Sequence, residues 1–135
     1  MRSPRRFLQS SVALSAAFAA AVQARADAIT VGGTSFFVEN RPRSVGLAAQ
    51  HRLPAMYSQR EFAEIGGLMT YAANQAASYR RSATYVGKIL KGAKPGDLPI
   101  EQPTEFDLVI NAKTAHSLGL TIPPSLLRQA TEVIQ

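Results

Sequence analysis

The clearest pattern along the chain is a helical repeat that begins at residue 76. Apolar residues recur at steps of three and four, and basic or polar residues occupy the opposite side. This spacing predicts an amphipathic helix with a wide apolar stripe, Tyr79 in the core and Tyr85 on its flank. Asn74 and Gly92 are placed to cap its two ends. The stripe consists of Tyr79, Ala83, Val86 and Leu90.

Short β-rich runs alternate with helical patterns ahead of this helix. Pro42 stands near the start of one predicted helix, and Ser58 is a candidate cap for the next. Strands that alternate with helices across short loops predict an α/β fold, with a doubly wound, mostly parallel sheet and flanking helices. The predicted strands are 28–31, 53–57 and 68–71, and the predicted helices are 38–51 and 60–65.

A Pro/Gly-rich linker at 94–99 leads to a C-terminal group of elements. Residues 105–111 alternate in a way that predicts a strand with one wetter face, which includes Val109. Asn111 is placed to cap a helix that Gly119 ends. Pro124 is placed to open a last helix whose apolar face continues to Ile134.

Composition narrows the classes of function. The 135 residues contain no cysteine, which excludes disulfides and thiolate chemistry. The net charge is +6, but four of the 15 basic residues lie in the first 26, which leaves 11 basic against nine acidic residues beyond that segment. The basic charge is therefore not a patch with interleaved aromatic residues, and we expect no nucleic-acid partner.

Three segments resemble a known family: 60–74, 79–127 and, more weakly, 16–31. The gap-free stretch LPIEQPTEFDLVINAKTAHSLGLTIP at 98–123 is the most specific. It resembles the C-terminal part of substrate-binding proteins of bacterial ABC transporters, which have the type I periplasmic binding protein fold. Family members are considerably longer. The resemblance therefore implies a chain without most of the N-terminal lobe, with an α/β lobe at 27–92 and a hinge and C-terminal segment at 93–135.

The first 26 residues allow two interpretations. A basic start, an apolar run and the small residues Ala24 and Ala26 before Asp27 are typical of a cleaved signal peptide. The resemblance crosses that position without a break, which implies instead a folded helix of the lobe. We expect a periplasmic protein if the signal is real or an upstream segment exists, and a cytoplasmic one otherwise.

Candidate ligand-binding residues follow the predicted strands. Ligands bind beyond the carboxyl ends of strands in open α/β sheets, and small polar and aromatic residues stand at three such ends. Phe36 could instead be a packing residue, and the two tyrosines could be core residues with satisfied hydroxyls. The candidates are Thr34, Ser35, Phe36, Tyr57 and Tyr71.

No catalytic constellation is present in the sequence. The two histidines stand apart, and the Gly32–Ser35 run lacks the lysine and the spacing of a P-loop. We therefore expect neither an enzyme nor a cofactor or metal site.

The resemblance implies a substrate-binding component of an ABC importer, in which two lobes close on a small organic solute such as an amino acid. The solute is then delivered to an ABC permease. The chain alone is expected to bind solute weakly. The alternative is a non-functional gene fragment, or a lone lobe that needs a partner lobe or self-associates.

Overall fold

The computed structural model describes the backbone of residues 4–135 and the side chains of residues 12–135. The chain divides into two compact units: unit 1, which runs up to Tyr71 and resumes at Leu108–Gln135, and unit 2, which is Ala72–Asp107. In chain order the elements are α1 (Pro4–Gln23), β1 (Ile29–Val31), α2 (Ser35–Glu39), α3 (Arg41–Gln50), β2 (Ala55–Tyr57), α4 (Arg60–Glu64), β3 (Met69–Ala73), α5 (Gln75–Leu90), a 3-10 turn (Pro95–Asp97), β4 (Phe106–Asn111), α6 (Ala112–Leu118), α7 (Pro124–Gln129) and β5 (Glu132–Ile134).

The five strands form one sheet in the order β1-β2-β3-β4-β5. β1 pairs with β2, β2 with β3 and β4 with β5, all in parallel. The Asn111 amide donates to the Leu68 carbonyl at 2.8 Å and the Asn74 amide to the Glu105 carbonyl at 2.9 Å, so β3 and β4 run antiparallel. The predicted α/β class, with a mostly parallel sheet and flanking helices, is confirmed.

The hydrophobic core of unit 1 lies between β1, β2 and the helices α1, α3 and α4. Phe62 is 0% exposed and Tyr57 2% exposed, and Leu14 and Phe18 bring α1 into the same cluster. The Arg43 guanidinium donates to Ser15 Oγ at 2.8 Å and ties α3 to α1. The core consists of Leu14, Phe18, Val31, Val45, Ala48, Leu53, Ala55, Tyr57 and Phe62.

Two local predictions in the first half of the chain are wrong. The single helix expected at 38–51 is two helices, because the backbone of Asn40 leaves the helical region and its side-chain amide donates to the Phe36 carbonyl at 2.9 Å. Ser58 does not cap α4. The N-cap is Gln59, whose side chain makes no capping hydrogen bond.

The C-terminal segment differs from expectation in two places. The last helix ends at Gln129, and Glu132–Ile134 forms β5 because these residues pair with Val109–Asn111 of β4. The expected wetter face of β4 is wrong: Val109 is 2% exposed, since its strand lies between β3 and β5.

Unit 2 contains α5 and the segment that follows it. Asn74 caps α5 as predicted, and its Oδ1 accepts from the Ala77 amide at 2.8 Å. The expectation that the apolar stripe enters a core is wrong among the described residues, because Tyr79 is 72% exposed and Leu90 82% exposed. Tyr85 lies at the flank as predicted, and its hydroxyl donates to the Pro99 carbonyl at 2.6 Å.

Candidate functional site

The loops that follow β1 and β2 meet at the carboxyl edge of the sheet in unit 1. Gly33 lies so close to Ser58 that a Cβ added to the glycine would stand 2.8 Å from Ser58 Oγ. A larger residue at Gly33 would have to displace the hydroxyl. The glycine therefore lets one loop approach the polar side chain of the other.

Three polar side-chain atoms of unit 1 are buried and have no hydrogen-bond partner among the described residues. They are Arg41 Nε, Tyr57 OH and Ser58 Oγ. Buried polar groups in folded proteins nearly always have a hydrogen-bond partner, so these unpaired atoms need a physical explanation. Ser58 directly follows β2, and Arg41 is bonded to the next residue, Gln59, so this part of the edge has unused capacity to bind a polar ligand or water. The Tyr57 side chain instead lines a cavity with Leu53 and Leu68, which precede β2 and β3.

Arg41 is held in place by contacts on two sides. Its Nη2 donates to Gln59 Oε1 at 3.2 Å, and its guanidinium carbon lies 5.3 Å from the centre of the Phe62 ring. Phe62 in turn stacks on Tyr57, with ring centres 4.7 Å apart and planes 15° apart. This stack holds a partly buried guanidinium at the edge.

Tyr57 is the most buried polar residue of the group. Burial raises the pKa of its phenol to about 12, so the hydroxyl stays protonated at neutral pH and can donate a hydrogen bond. Tyr57 also lines a cavity of about 250 Å³ within unit 1, which has further lining residues on α3 and α6.

The structure brings together only part of the predicted site. Thr34 precedes α2 as its N-cap without a side-chain hydrogen bond, and Ser35 opens that helix; both are exposed at the edge. Phe36 packs against the core of unit 1. Tyr57 pairs in register with Thr70, so the next residue, Tyr71, points to the opposite face of the sheet.

Arg41, Ser58 and Gln59 were absent from the candidates chosen on sequence. Ser58 and Gln59 directly follow Tyr57, a candidate at one of the three predicted strand ends, and this position was the available signal. Within the described part of the chain, no three metal-ligating side chains form a group that could hold an ion. The described helices include none with the length and apolar character needed to cross a bilayer.

Solved structures define the class of protein to which this fold belongs. A conserved domain protein from Vibrio cholerae is 27% identical with a TM-score of 0.79, over 91% of this chain and 41% of that one. An ABC domain in complex with L-Trp from Streptococcus pneumonia is 29% identical with a TM-score of 0.77, over 92% and 41%. An open, ligand-free substrate-binding protein from Clostridium difficile, 18% identical with a TM-score of 0.68 over 93% and 41%, shares the fold. The chain thus spans 41% of each of these structures.

The family is shown by the sequence itself. The profile of the family described as ABC transporter substrate binding protein matches residues 6–134, and the chain belongs to that family. Such proteins are generally non-enzymatic and are usually extracellular or periplasmic. No curated protein matches the sequence.

Replacing Tyr57 with phenylalanine should stabilise unit 1 by about 1 kcal/mol at pH 7, because a buried hydroxyl without a partner is removed while the ring stays. The stability advantage of Tyr57→Phe over wild type should grow above pH 10. The pKa of Tyr57 in the folded protein, about 12, lies above the ordinary 10. The contribution of the protonated phenol to wild-type stability is therefore intact below pH 10 and is lost as pH rises through 12. Urea unfolding of both proteins at several pH values measures the difference.

Tyr79→Phe is the matched control, since its hydroxyl is removed from a side chain that is 72% exposed. We expect this control to stay within about 0.5 kcal/mol of wild type. A Tyr57→Phe protein that is less stable than wild type at pH 7 would show that the hydroxyl has an effective partner.

Proposed function

We propose that this chain forms part of the substrate-binding component of an ABC-type importer and contacts a small organic solute at the carboxyl edge of β1 and β2. The observation that carries the proposal is the pair of buried, unpartnered polar atoms at that edge, Arg41 Nε and Ser58 Oγ. A solute that supplies donors and acceptors there would satisfy groups that the described residues leave unpaired. The similar ABC domain from Streptococcus pneumonia, solved with L-Trp, supports an amino acid as the solute.

The side chains suit a solute with a carboxylate. A guanidinium binds carboxylates through charge-assisted hydrogen bonds, and Arg41 is pre-positioned by Phe62 and Gln59. Ser58, next to Gln59 in the sequence, has an Oγ that can donate or accept a hydrogen bond. Thr34 and Ser35 add exposed hydroxyls on the neighbouring loop, and Tyr71 remains a candidate for contact from the other face of β3.

Capture of the solute requires a second binding surface besides this edge. The chain spans 41% of each of the similar structures, and we infer that a second lobe closes over the solute before delivery to an ABC permease. Solute binding by the 135-residue chain should therefore be weak.

The burial of Leu14 and Phe18 in the core of unit 1 favours α1 as a folded helix of the lobe over a cleaved signal. The proposed site of action is the periplasm.

The test is a titration of the isotope-labelled 135-residue chain with a panel of L-amino acids, L-Trp among them, followed by amide NMR shifts. We expect at least one amino acid to shift amides at 32–35 and 57–59, with a dissociation constant weaker than about 1 mM. Arg41→Gln should abolish these shifts because the charge is lost. Arg43→Gln, two residues away on an exposed side chain of the same helix, should not.

Equal shifts in both variants, or none with the whole panel, would overturn the proposed site. Micromolar binding by the wild-type chain would instead overturn the need for a second lobe.

A further inference from the structure

The cavity of about 250 Å³ in unit 1 lies beside α3, β2 and α6. Ala55 and Tyr57, alternate residues of β2, line it from one face of the sheet. Leu53 and Leu68, which precede β2 and β3, place the cavity toward the amino ends of these strands. It is therefore separate from the loops at the carboxyl edge.

The hydroxyl groups around the cavity differ in whether they have partners. Thr114 Oγ1 donates to the Gly66 carbonyl at 2.9 Å, and Ser117 Oγ donates to the Thr114 carbonyl at 2.9 Å. The Tyr57 side chain is 2% exposed, and its hydroxyl has no partner in the described part of the chain. A ligand with a polar atom at its inner end would give this hydroxyl the hydrogen bond that it lacks.

Arg52 adds a positive charge to the lining of the cavity. The residue is exposed, and its Nη2 donates to the Ser117 carbonyl at 3.4 Å, which is long for a hydrogen bond. The ion pairs among residues 12–135 do not involve Arg52. Its guanidinium therefore has a charge and donors available at the mouth of the cavity.

The backbone of Arg52 is also unusual. Its φ of 50° lies in the left-handed region, directly after His51, the residue at which α3 ends. Glycine is common at this position because a side chain is strained there. Strain of this kind at a cavity points to a role for the side chain that is held in place.

We propose that this cavity is a ligand site distinct from the carboxyl edge, and that it takes a small carboxylate with an apolar body, such as a short aromatic acid. The carboxylate pairs with Arg52 through charge-assisted hydrogen bonds, and the body packs among Leu53, Leu68 and Leu118. An apolar cavity of about 150 Å³ holds benzene, so about 250 Å³ has room for a ring and a carboxylate. The inference does not depend on the solute site proposed above.

Benzoate is the probe, and neutral benzyl alcohol is its control without the charge. Each is titrated at constant ionic strength into the isotope-labelled 135-residue chain. We expect benzoate to shift amides at 48–53 and 114–118, with a dissociation constant of about 1 mM or below, and to leave amides at 32–35 and 58–59 unchanged. Nuclear Overhauser effects should join the benzoate ring to the methyl groups of Leu53, Leu68 and Leu118. Benzyl alcohol should bind at least about tenfold more weakly.

Two arginine variants separate the cavity from general attraction to positive charge. Arg52→Gly removes the charge and relieves the backbone strain, so we expect benzoate to bind at least about tenfold more weakly while the protein stays folded. Arg25→Gly is the matched control, since Arg25 is also exposed, has a φ of 55° and does not line the cavity. Its affinity for benzoate should stay within about twofold of wild type, because a distant exposed charge is screened.

The absence of saturable shifts with benzoate up to about 20 mM would overturn the proposal, as would equal binding of benzyl alcohol. Equal weakening in the two glycine variants, or shifts at 32–35 and 58–59 in place of those expected, would also overturn it. An Arg52→Gly protein without a cooperative thermal transition is replaced by Arg52→Asn, which tolerates the same backbone region and should weaken binding equally. No amino acid is present in any arm, so a failure of solute binding at the carboxyl edge does not affect the result.

Discussion

Replacing Phe62 with alanine should cost unit 1 about 3–5 kcal/mol, among the largest effects available to one substitution in this chain. The ring is 0% exposed, and Tyr57 stacks against it at 4.7 Å. Its loss leaves a cavity that Gly67, whose neighbours are the Phe62 carbonyl and the Tyr57 ring, cannot fill. Urea unfolding followed by circular dichroism measures the change.

Two further variants test whether the loss of stability comes from a cavity in the core. Phe62→Leu keeps most of the volume and should cost less than the alanine, because the cavity is smaller. Phe106→Ala removes the same ring from a side chain that is 47% exposed, and we expect a loss below about 1.5 kcal/mol. Similar losses in Phe62→Ala and Phe106→Ala would contradict the assignment of Phe62 to the centre of the core.

The second large effect is expected at Asn111, which is 5% exposed and uses both ends of its amide. Its Oδ1 accepts from the Thr114 amide at 3.0 Å and caps α6, while its Nδ2 donates to the Ala63 carbonyl at 2.9 Å. Asn111→Ala should cost about 2–4 kcal/mol, since it combines the loss of a cap with the loss of a buried hydrogen bond to the Ala63 carbonyl, which keeps only local backbone partners such as the Gly66 amide at 3.2 Å. Thermal unfolding against wild type gives the difference.

Asn74 provides a matched cap at a less buried position. Asn74→Ala also removes a cap, from α5, but its surroundings are only partly buried, and we expect a loss near 1 kcal/mol. Asn111→Asp keeps the capping acceptor and loses the donor to Ala63, so it should remain clearly destabilised. Wild-type stability in Asn111→Asp would show that the Ala63 bond contributes nothing.

The features of the fold that sequence predicts well are local ones. Asn74 and Asn111 cap the helices that follow them, and Gly119 ends α6 in the left-handed region with φ of 74°. Each depends on interactions within a few residues, which the sequence displays directly. β5 was missed because its pairing partner, Val109–Asn111, lies more than 20 residues away in the sequence.

Periodicity identified the apolar stripe of α5 but not its surroundings. The helix and its cap are where the pattern predicts them, yet Tyr79 and Leu90 are exposed. A helical repeat shows which side of a helix is apolar, and only the tertiary arrangement decides what covers that side.

In the candidate site, too, the sequence locates some residues, whereas the positions of others depend on tertiary contacts. The carboxyl-edge rule located the loops that contain Thr34, Ser35 and Ser58. The rule could not show that the Arg41 guanidinium lies at the edge, because its placement depends on contacts with the Phe62 ring and the Gln59 side-chain amide. Strand register likewise separates Tyr57 from Tyr71, although both follow the rule.

The antiparallel pairing of β3 and β4 also sets an order of events during protein synthesis. The Gly66 carbonyl accepts a hydrogen bond from the Thr114 hydroxyl, and the Leu68 carbonyl accepts one from the Asn111 amide. During synthesis these carbonyls lack those partners until unit 2 and the first part of the following segment have emerged from the ribosome. The nascent first half of unit 1 therefore exposes an unfinished sheet edge for that interval, and this is the period in which a chaperone would have the most to protect.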